Sequence, residues 1–202
     1  MTHEEYFRTL KQQWQGELVV CSLGTNANEW WKATGSTAAF YMHAAMGFAS
    51  SFALGLALCI PQHPVWVLDS DGGLAMNMGG LLTEASVQPG NLTHFVLSNR
   101  CYQSLKAAPL VNAEQTDYVA MARGAGIAQT WTVDDAGQLA DLVDRLGREH
   151  RYALVVVEVE PDRLTEGTQV PPLPYEGAEL KYRFGRYIEE TLSIEVFGPR
   201  GY

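Results

Sequence analysis

Short apolar runs rich in β-branched residues alternate with longer segments of helical periodicity along most of this chain, and this alternation constrains the fold most strongly. It is typical of a parallel sheet whose strands are joined by helices packed on both faces. We therefore predict an α/β fold with a doubly wound, mostly parallel sheet, followed by a C-terminal tail. The predicted strands are residues 18–22, 65–68, 93–97, 127–132 and 153–159, and the predicted helices are 4–14, 46–59, 74–87, 117–125 and 136–149.

The chain length and the distribution of proline predict the domain organisation. A chain of 202 residues suits one α/β domain, which we place at residues 1–160. Residues 161–202 read as a linker with prolines at 161, 171, 172 and 174 and a C-terminal extension, weakly helical over 180–190 and strand-like over 192–197. We expect this extension to pack on a partner subunit.

Charge and hydropathy exclude several classes of function. The formal net charge of −9 opposes binding to nucleic acid. The apolar stretch 44–60 is shorter than the ~20 residues that a bilayer requires and contains Ser50 and Ser51, so we predict a buried helix and no membrane span. Residues 1–13 are polar and show no export signal, which favours the cytoplasm. Three widely separated cysteines fit neither a disulfide framework nor a clustered metal site.

Two polar positions stand at the ends of successive predicted strands. Asp71 enters a turn with Gly72 and Gly73 after one strand, and Asn99 follows the next. Each alone is typical of an ordinary turn or cap, but the carboxyl ends of parallel strands form the ligand-binding edge of such sheets. Carboxylate and amide oxygens suit Mg²⁺, and glycines let backbone N–H groups approach a phosphate. The pair therefore predicts a magnesium site beside a nucleotide or diphosphate group.

The same segment resembles the fingerprint of thiamine-diphosphate enzymes, which runs from Gly-Asp-Gly to Asn-Asn. Here it stands as Ser70-Asp71-Gly72 and Ser98-Asn99, with 25 residues between Gly72 and Ser98 (73–97). Both departures put serine at a flanking position and keep the two metal-ligand positions. The resemblance implies thiamine diphosphate and Mg²⁺ as cofactors, with Asp71, Asn99 and the backbone carbonyl of Cys101 as metal ligands.

Further matches to this family lie on both sides of the fingerprint. The segment 43–49 resembles the family's Gly-Ser-Met-Gly segment, which implies that Met46 wedges between the cofactor rings and that the Ala44 carbonyl accepts a hydrogen bond from the aminopyrimidine. His43 lies beside them and is a candidate for proton transfer. The full set of residues that the resemblance assigns to cofactor binding is Gly24, Thr25, Asn26, Ala44, Met46, Asp71, Gly72, Gly73, Asn99, Cys101, Tyr102 and Gln103.

Residues 102–104 and 116–127 resemble decarboxylases of phosphonopyruvate and sulfopyruvate, whereas residues 106–111 depart from the Gly-rich turn of those relatives. In this family a Glu from a separate pyrimidine-binding domain activates the cofactor, and no second α/β domain is present in these 202 residues. The resemblance therefore implies a partner chain that supplies the Glu, in a heterodimer or an α2β2 heterotetramer, acting on a small 2-oxo acid.

Other readings stay open from the sequence. The chain is also compatible with a subunit of a carboligase, with a subunit of a 2-oxo acid oxidoreductase, and with a non-catalytic cofactor-binding regulatory subunit. His63, His94 and Glu84 are predicted to be structural. Arg100 and Lys106 follow the metal motif and are candidates for attracting an anionic substrate, although solvated surface charge is the simpler interpretation for both.

Overall fold

A six-stranded, all-parallel sheet forms the centre of the molecule, as a computed structural model of residues 1–161 and 172–198 shows. The strand order is β2-β1-β3-β4-β8-β7, with every neighbouring pair parallel. The predicted doubly wound α/β fold is confirmed. The strands of this sheet are β1 (Leu18–Cys21), β2 (Ala39–Tyr41), β3 (Val65–Ser70), β4 (Leu92–Ser98), β7 (Thr130–Val133) and β8 (Ala153–Glu158), and a two-stranded antiparallel ribbon consists of β5 (Cys101–Tyr102) and β6 (Ala108–Pro109).

Helices cover both faces because successive side chains of each strand point to opposite sides. On one face, Val19, Trp66 and Phe95 pack with residues of α1, α2 and α7. On the other face, Val20, Val67 and Val96 pack with residues of α3, α5, α6 and α8. The helices are α1 (His3–Gln13), α2 (Thr25–Thr34), α3 (Ala49–Cys59), α4 (Asp71–Met76), α5 (Gly80–Val87), α6 (Tyr118–Ala125), α7 (Ala136–Glu149) and α8 (Gly177–Leu192), with a 3₁₀ turn at Gln103–Leu105.

Two predicted helices differ from the observed ones near the predicted site. The helix predicted from residue 46 begins at Ala49, because Ala45 and Gly47 both have positive φ and belong to a turn. The single helix predicted over 74–87 is two helices, of which α4 already begins at Asp71. The side chain of Asn77 lies between α4 and α5 and donates to the Gly47 carbonyl. This bond links the segment between the two helices to the turn that contains Gly47.

Three further features of local structure differ from the expectation. No helix was predicted after residue 24, yet α2 begins at Thr25, and the three-residue strand β2 was not predicted. The strand-like reading of 192–197 fails because α8 runs to Leu192 and the amides of Val196 and Phe197 then donate to the Glu189 carboxylate.

The C-terminal helix α8 packs on the domain that precedes it. Its side chains Leu180, Phe184 and Ile188 are buried in the core clusters, and the Phe184 ring meets Phe40 edge to face. Packing on a partner therefore stays a prediction only for the outer face of α8.

Most of the predicted proline linker lies outside the described residues. Within the described ranges, no helix combines the length and apolar character that a bilayer span requires.

Candidate functional site

The two predicted metal ligands lie close together at the carboxyl edge of the sheet. β3 and β4 are neighbours, with Ser70 paired to Leu97, so the residues that follow them meet at one edge. Asp71 Oδ2 accepts the Arg100 N–H at 2.7 Å, and Asp71 Oδ1 accepts the Gly72 N–H at 2.7 Å. The carboxylate of Asp71 thus ties the turn after β3 to the turn after β4.

Asp71 is a buried carboxylate to which no guanidinium bonds within residues 1–161 and 172–198. Its side chain is fully buried, and burial raises its pKa to about 6 although the amides of Arg100 and Gly72 donate to it. The Arg100 guanidinium instead bonds both oxygens of Glu158 and the carbonyls of Ala113 and Thr116. A buried carboxylate favours a nearby cation, so the environment of Asp71 suits a bound metal ion.

The neighbours of Asn99 set the orientation of its amide. Asn99 Nδ2 lies 3.3 Å from Gln103 Oε1 and 3.4 Å from His3 Nε2, whereas Asn99 Oδ1 accepts the Cys101 N–H at 3.2 Å. The nitrogen therefore faces two groups that can accept a hydrogen bond, and the oxygen remains on the side of the 99–101 turn. This is the orientation that a metal-ligating asparagine requires.

Side chains at Gly72 and Gly73 would clash with neighbouring residues. Both glycines belong to the Asp71 turn, by which we mean residues 70–73, where β3 ends and α4 begins. A Cβ at Gly72 would lie 2.7 Å from the Tyr102 ring, and a Cβ at Gly73 would lie 2.4 Å from Asp69 Oδ1. The amides of both glycines already donate within the turn, to Asp71 Oδ1 and to Ser70 Oγ. The expectation that these amides are open to a phosphate does not match this geometry, because the turn satisfies them itself.

A narrow cleft of about 40 Å³ collects most of the predicted cofactor residues. Its lining comprises Thr25, Asn26, Met46, Gly72, Asn99, Cys101, Tyr102 and Gln103, with Ser70 and Ser104 beside them. His3, Leu23 and Leu97 also line it and were not predicted. No local pattern indicates His3, because its contact with Asn99 spans 96 residues of sequence. The cleft is far below the ~300 Å³ that a pocket for a small molecule typically encloses.

Met46 lies between this cleft and an adjoining hollow lined by Met42, Ala45 and Gly73.

Gly24 precedes α2 with φ of 83°, where a side chain would be strained, and a Cβ there would lie 3.9 Å from Ser104 Oγ. Asp71, His43 and Ala44 also do not line the cleft: Asp71 is fully buried, whereas His43 and Ala44 are exposed. A Cβ at Gly177 would lie 3.7 Å from His43 Cβ, so His43 faces the start of α8.

Arg100 is not a solvated surface charge. Its bonds to Glu158 and to two carbonyls hold the 113–116 loop against β8, and its guanidinium lies 5.8 Å from the centre of the Tyr118 ring.

Lys106 is exposed, as the surface interpretation predicts. Glu84 and His94 are both buried and bond to each other, in agreement with a structural role.

The donors at this edge suit a hard cation. One carboxylate, one amide oxygen and one backbone carbonyl are the oxygen ligands that Mg²⁺ prefers when phosphates and water complete its octahedron. Among residues 1–161 and 172–198, no group of three or more His, Cys, Asp or Glu side chains could hold a metal ion.

Comparisons with known proteins agree with this geometry. A family model described as the C-terminal TPP binding domain of thiamine pyrophosphate enzymes matches residues 21–157. The sulfopyruvate decarboxylase subunit beta of Methanothermobacter thermautotrophicus is 41% identical over 121 residues, which are 60% of this chain and 64% of that protein. The subunit of the same name from Methanococcus maripaludis is 27% identical over 190 residues, 94% of this chain and 99% of that one.

A solved structure shows the same fold. The benzoylformate decarboxylase from Polynucleobacter necessarius superimposes with a TM-score of 0.68 at 17% identity, over 86% of this chain and 34% of that one. This chain thus corresponds to about one third of a longer polypeptide in that structure, and to nearly the whole of the Methanococcus subunit.

Proposed function

The chain belongs to the thiamine pyrophosphate enzymes, through their C-terminal cofactor-binding domain, and we propose that it is the diphosphate- and magnesium-binding subunit of a two-subunit decarboxylase. The observation that carries the proposal is the juxtaposition of Asp71 and Asn99 at neighbouring strand ends, joined by the bond from the Arg100 amide to Asp71. Two relatives of comparable domain content are named subunit beta of sulfopyruvate decarboxylase, which supports the subunit role.

In this proposal Mg²⁺ is held by Asp71 Oδ, Asn99 Oδ1 and the Cys101 carbonyl, and the ion neutralises the diphosphate beside it. The burial of the Asp71 carboxylate supports the assignment, as does the amide orientation of Asn99. Thr25, Asn26, Tyr102 and Gln103 form walls of the cleft and would hold the diphosphate half of the cofactor, and Ser104 and Gly24 approach each other at its rim.

Bound thiamine diphosphate supplies an electron sink when a 2-oxo acid loses carbon dioxide. Met46 contributes by shape, because its side chain stands between the cleft and the adjoining hollow and can support the cofactor in a bent conformation. The carbonyl of Ala44 and the His43 imidazole lie on the exposed side of the same loop, where they can meet a partner chain. Both remain part of the proposal.

The size of the cleft supports a site that two chains complete. A hollow of about 40 Å³ cannot enclose a cofactor, so further walls are needed. Apolar side chains adjacent to the site residues are exposed, including Phe48 at 55%, Met76 at 56% and Leu105 at 63%. Exposed apolar groups around an unfinished cleft suit burial by a partner. We place there a pyrimidine-domain subunit that supplies the activating Glu, in a heterodimer or an α2β2 heterotetramer.

The proposed substrate is a small 2-oxo acid that resembles sulfopyruvate or phosphonopyruvate, on the basis of the names of the relatives. Arg100 does not bind the anionic group of this substrate in the proposal, because Glu158 and two carbonyls already occupy its guanidinium. Lys106 is exposed near the site and remains a candidate. The three free cysteines suit a reducing compartment, and a cytoplasmic location is part of the proposal.

A substrate screen on the assembled complex tests this function. The complex is purified from the native source with its partner, supplied with Mg²⁺ and thiamine diphosphate, and assayed for carbon dioxide release from a panel of 2-oxo acids with and without a second anionic group. We expect release from at least one member that carries a second anionic group. Condensation products without net carbon dioxide release would instead support a carboligase, and no turnover with intact cofactor binding would support a regulatory subunit.

A further inference from the structure

A cluster of buried charges lies directly beneath the Asp71 turn. Asp69, Glu84 and His94 are each almost completely buried, and they come from β3, α5 and β4. His94 Nδ1 lies 2.9 Å from Glu84 Oε2, and His94 Nε2 lies 3.7 Å from Asp69 Oδ2. Tyr152, which directly precedes β8, and Ser50 of α3 also donate to the Glu84 carboxylate. The proposed function uses none of these groups.

The two carboxylates around His94 favour a charged ring. A neutral imidazole carries one N–H, so one of its two nitrogens would present a lone pair to a carboxylate oxygen. Here both nitrogens face carboxylate oxygens, one on each side of the ring. An imidazolium bonds Glu84 directly and lies at ion-pair distance from Asp69, where Nε2 and Oδ2 have no hydrogen-bond partner among the described residues. Burial of two carboxylates without a cation between them would be strongly unfavourable.

Asp69 transmits this arrangement to the turn. Its Oδ1 accepts the Ser70 N–H at 2.8 Å, and the same oxygen lies so close to Gly73 that a Cβ there would be 2.4 Å away. Ser70 Oγ in turn accepts the Gly73 N–H at 3.0 Å. The carboxylate therefore supports both ends of the segment that presents Asp71, while its other oxygen faces His94.

We propose that His94 is a positioning residue for the metal-binding turn: the imidazolium, anchored by Glu84, holds the Asp69 carboxylate against Ser70 and Gly73 and thereby fixes the direction in which Asp71 faces the cation. The inference rests on the proposed function only for the consequence in cofactor binding. The link between His94 and the turn is a property of the chain itself, and it can be measured without any cofactor.

Hydrogen exchange of the full chain without cofactor tests the link. In His94→Gln the backbone amides of Ser70 and Gly73 should exchange at least about tenfold faster, because local opening becomes easier when Asp69 loses its cation. The matched control is Tyr152→Phe, which removes a bond to the same Glu84 carboxylate but leaves the imidazolium opposite Asp69. Its exchange at these amides should stay within about twofold of the wild type.

Calorimetry of the assembled complex then tests the consequence. The affinity for Mg²⁺ in the presence of thiamine diphosphate should fall about 10- to 100-fold in His94→Gln, as for other residues that orient a metal ligand, and should be unchanged in Tyr152→Phe. Should His94→Gln fail to fold, the double variant Glu84→Leu/His94→Leu replaces the pair by apolar groups, which commonly preserves stability, while Asp69 still loses its cation.

The outcomes separate the inference from the proposed function. Equal exchange at Ser70 and Gly73 in wild type and His94 variants overturns the inference, whatever the cofactor does. Faster exchange with unchanged affinity for Mg²⁺ overturns it too, because the turn would then not depend on this contact for binding. A wild-type complex that binds no thiamine diphosphate overturns the proposed function, and the exchange experiment still decides whether His94 positions the turn.

Discussion

At the scale of single residues, Asp71 combines two roles that usually fall to different side chains. Its two oxygens accept the amides of Gly72 and Arg100, which fixes the two strand-end turns relative to each other. Its remaining lone pairs are the donors that the proposal assigns to a cation. A substitution at Asp71 must therefore keep the shape of the side chain if it is to report on the metal and not on the turn.

The variant Asp71→Asn keeps that shape and removes the charge, and its single amide oxygen retains one of the two bonds from the Gly72 and Arg100 amides. We expect affinity for Mg²⁺ in the complex to fall by at least about tenfold, because the affinity of oxygen sites for hard cations follows the charge of their ligands. Calorimetry measures this loss, and circular dichroism checks the fold. The control is Asp144→Asn, an exposed carboxylate paired with Arg148 on α7, for which binding should not change. Equal binding by Asp71→Asn would remove Asp71 from the metal site.

Met46→Ala tests a role in shape and not in charge. Thiamine diphosphate should still bind through its diphosphate, but turnover should fall on the order of 100-fold, because small misplacements of a reacting centre are costly. Separate measurements of cofactor affinity and of kcat in the complex distinguish these effects. The control Met121→Ala removes an exposed methionine of α6 and should leave both the cofactor affinity and kcat unchanged. An unaltered kcat in Met46→Ala would contradict the assigned role.

Residue types at strand ends were predictable from the sequence, whereas their partners were not. Asp71, Asn99 and Met46 could be assigned because short motifs carry them. The contacts that orient them come from distant positions: His3 reaches Asn99 across 96 residues and Arg100 reaches Glu158 across 58. A local pattern carries no signal for such pairs, which explains why Arg100 was interpreted as surface charge.

At the scale of elements, the long helices were predicted well and the short elements near the site were not. The helix α7 has its predicted bounds because its apolar positions are periodic and Asp135 caps it. By contrast, α2 follows a glycine N-cap that provides no side-chain bond and β2 has three residues, so tertiary packing of Trp30 and Tyr41 decides both. The reversal of the chain at residues 45–47 depends on positive φ at Ala45, which composition does not indicate.

The packing of α8 on its own domain can be tested by stability. Phe184 is 4% exposed and belongs to the core cluster of that face, so Phe184→Ala should cost about 3–5 kcal/mol of unfolding free energy. Denaturant unfolding of the isolated chain measures this value. Tyr182→Ala, a half-exposed aromatic on the same helix, should cost clearly less. If Phe184→Ala left the isolated chain as stable as the wild type, α8 would belong to the partner interface instead.

The buried cluster that joins β3, β4 and α5 predicts a dependence of stability on pH. Burial alone would lower the pKa of His94, but Glu84 and Asp69 overcome it and raise this pKa to about 10. A group whose pKa is raised on folding stabilises the fold fully below its unfolded value of 6.5, and this contribution is lost as pH rises toward 10. Glu84, whose pKa is lowered, stays ionised across this window.

The difference in Tm between wild type and His94→Gln should therefore shrink between pH 6.5 and pH 10. Thermal unfolding at low ionic strength measures it, with Tyr152→Phe as the variant that retains the imidazolium. A difference that stays constant or widens over this range would show that His94 is neutral in the folded chain.

At the scale of the whole molecule, the site lies at an edge and not in an enclosure. The loops after β1, β3 and β4 lie at the same edge of the sheet. Here the strand order reverses, because β2 and β3 lie on opposite sides of β1. Open parallel sheets bind their ligands at such a position. The cleft there is about 40 Å³ and is bordered by exposed apolar side chains. In the proposed enzyme the fold thus positions one wall of the binding site, and a second chain supplies the other.

Activity with and without the partner chain tests that claim most directly. Carbon dioxide release from 2-oxo acids is measured with the purified chain alone, in excess Mg²⁺ and thiamine diphosphate, and again after addition of the pyrimidine-domain chain. We expect no turnover above background from the isolated chain and full activity on reconstitution, and a Glu-to-Gln change at the activating residue of the second chain should abolish that activity without weakening assembly. Full turnover by the isolated chain would contradict the account, because a carboxylate within these 202 residues would then activate the cofactor.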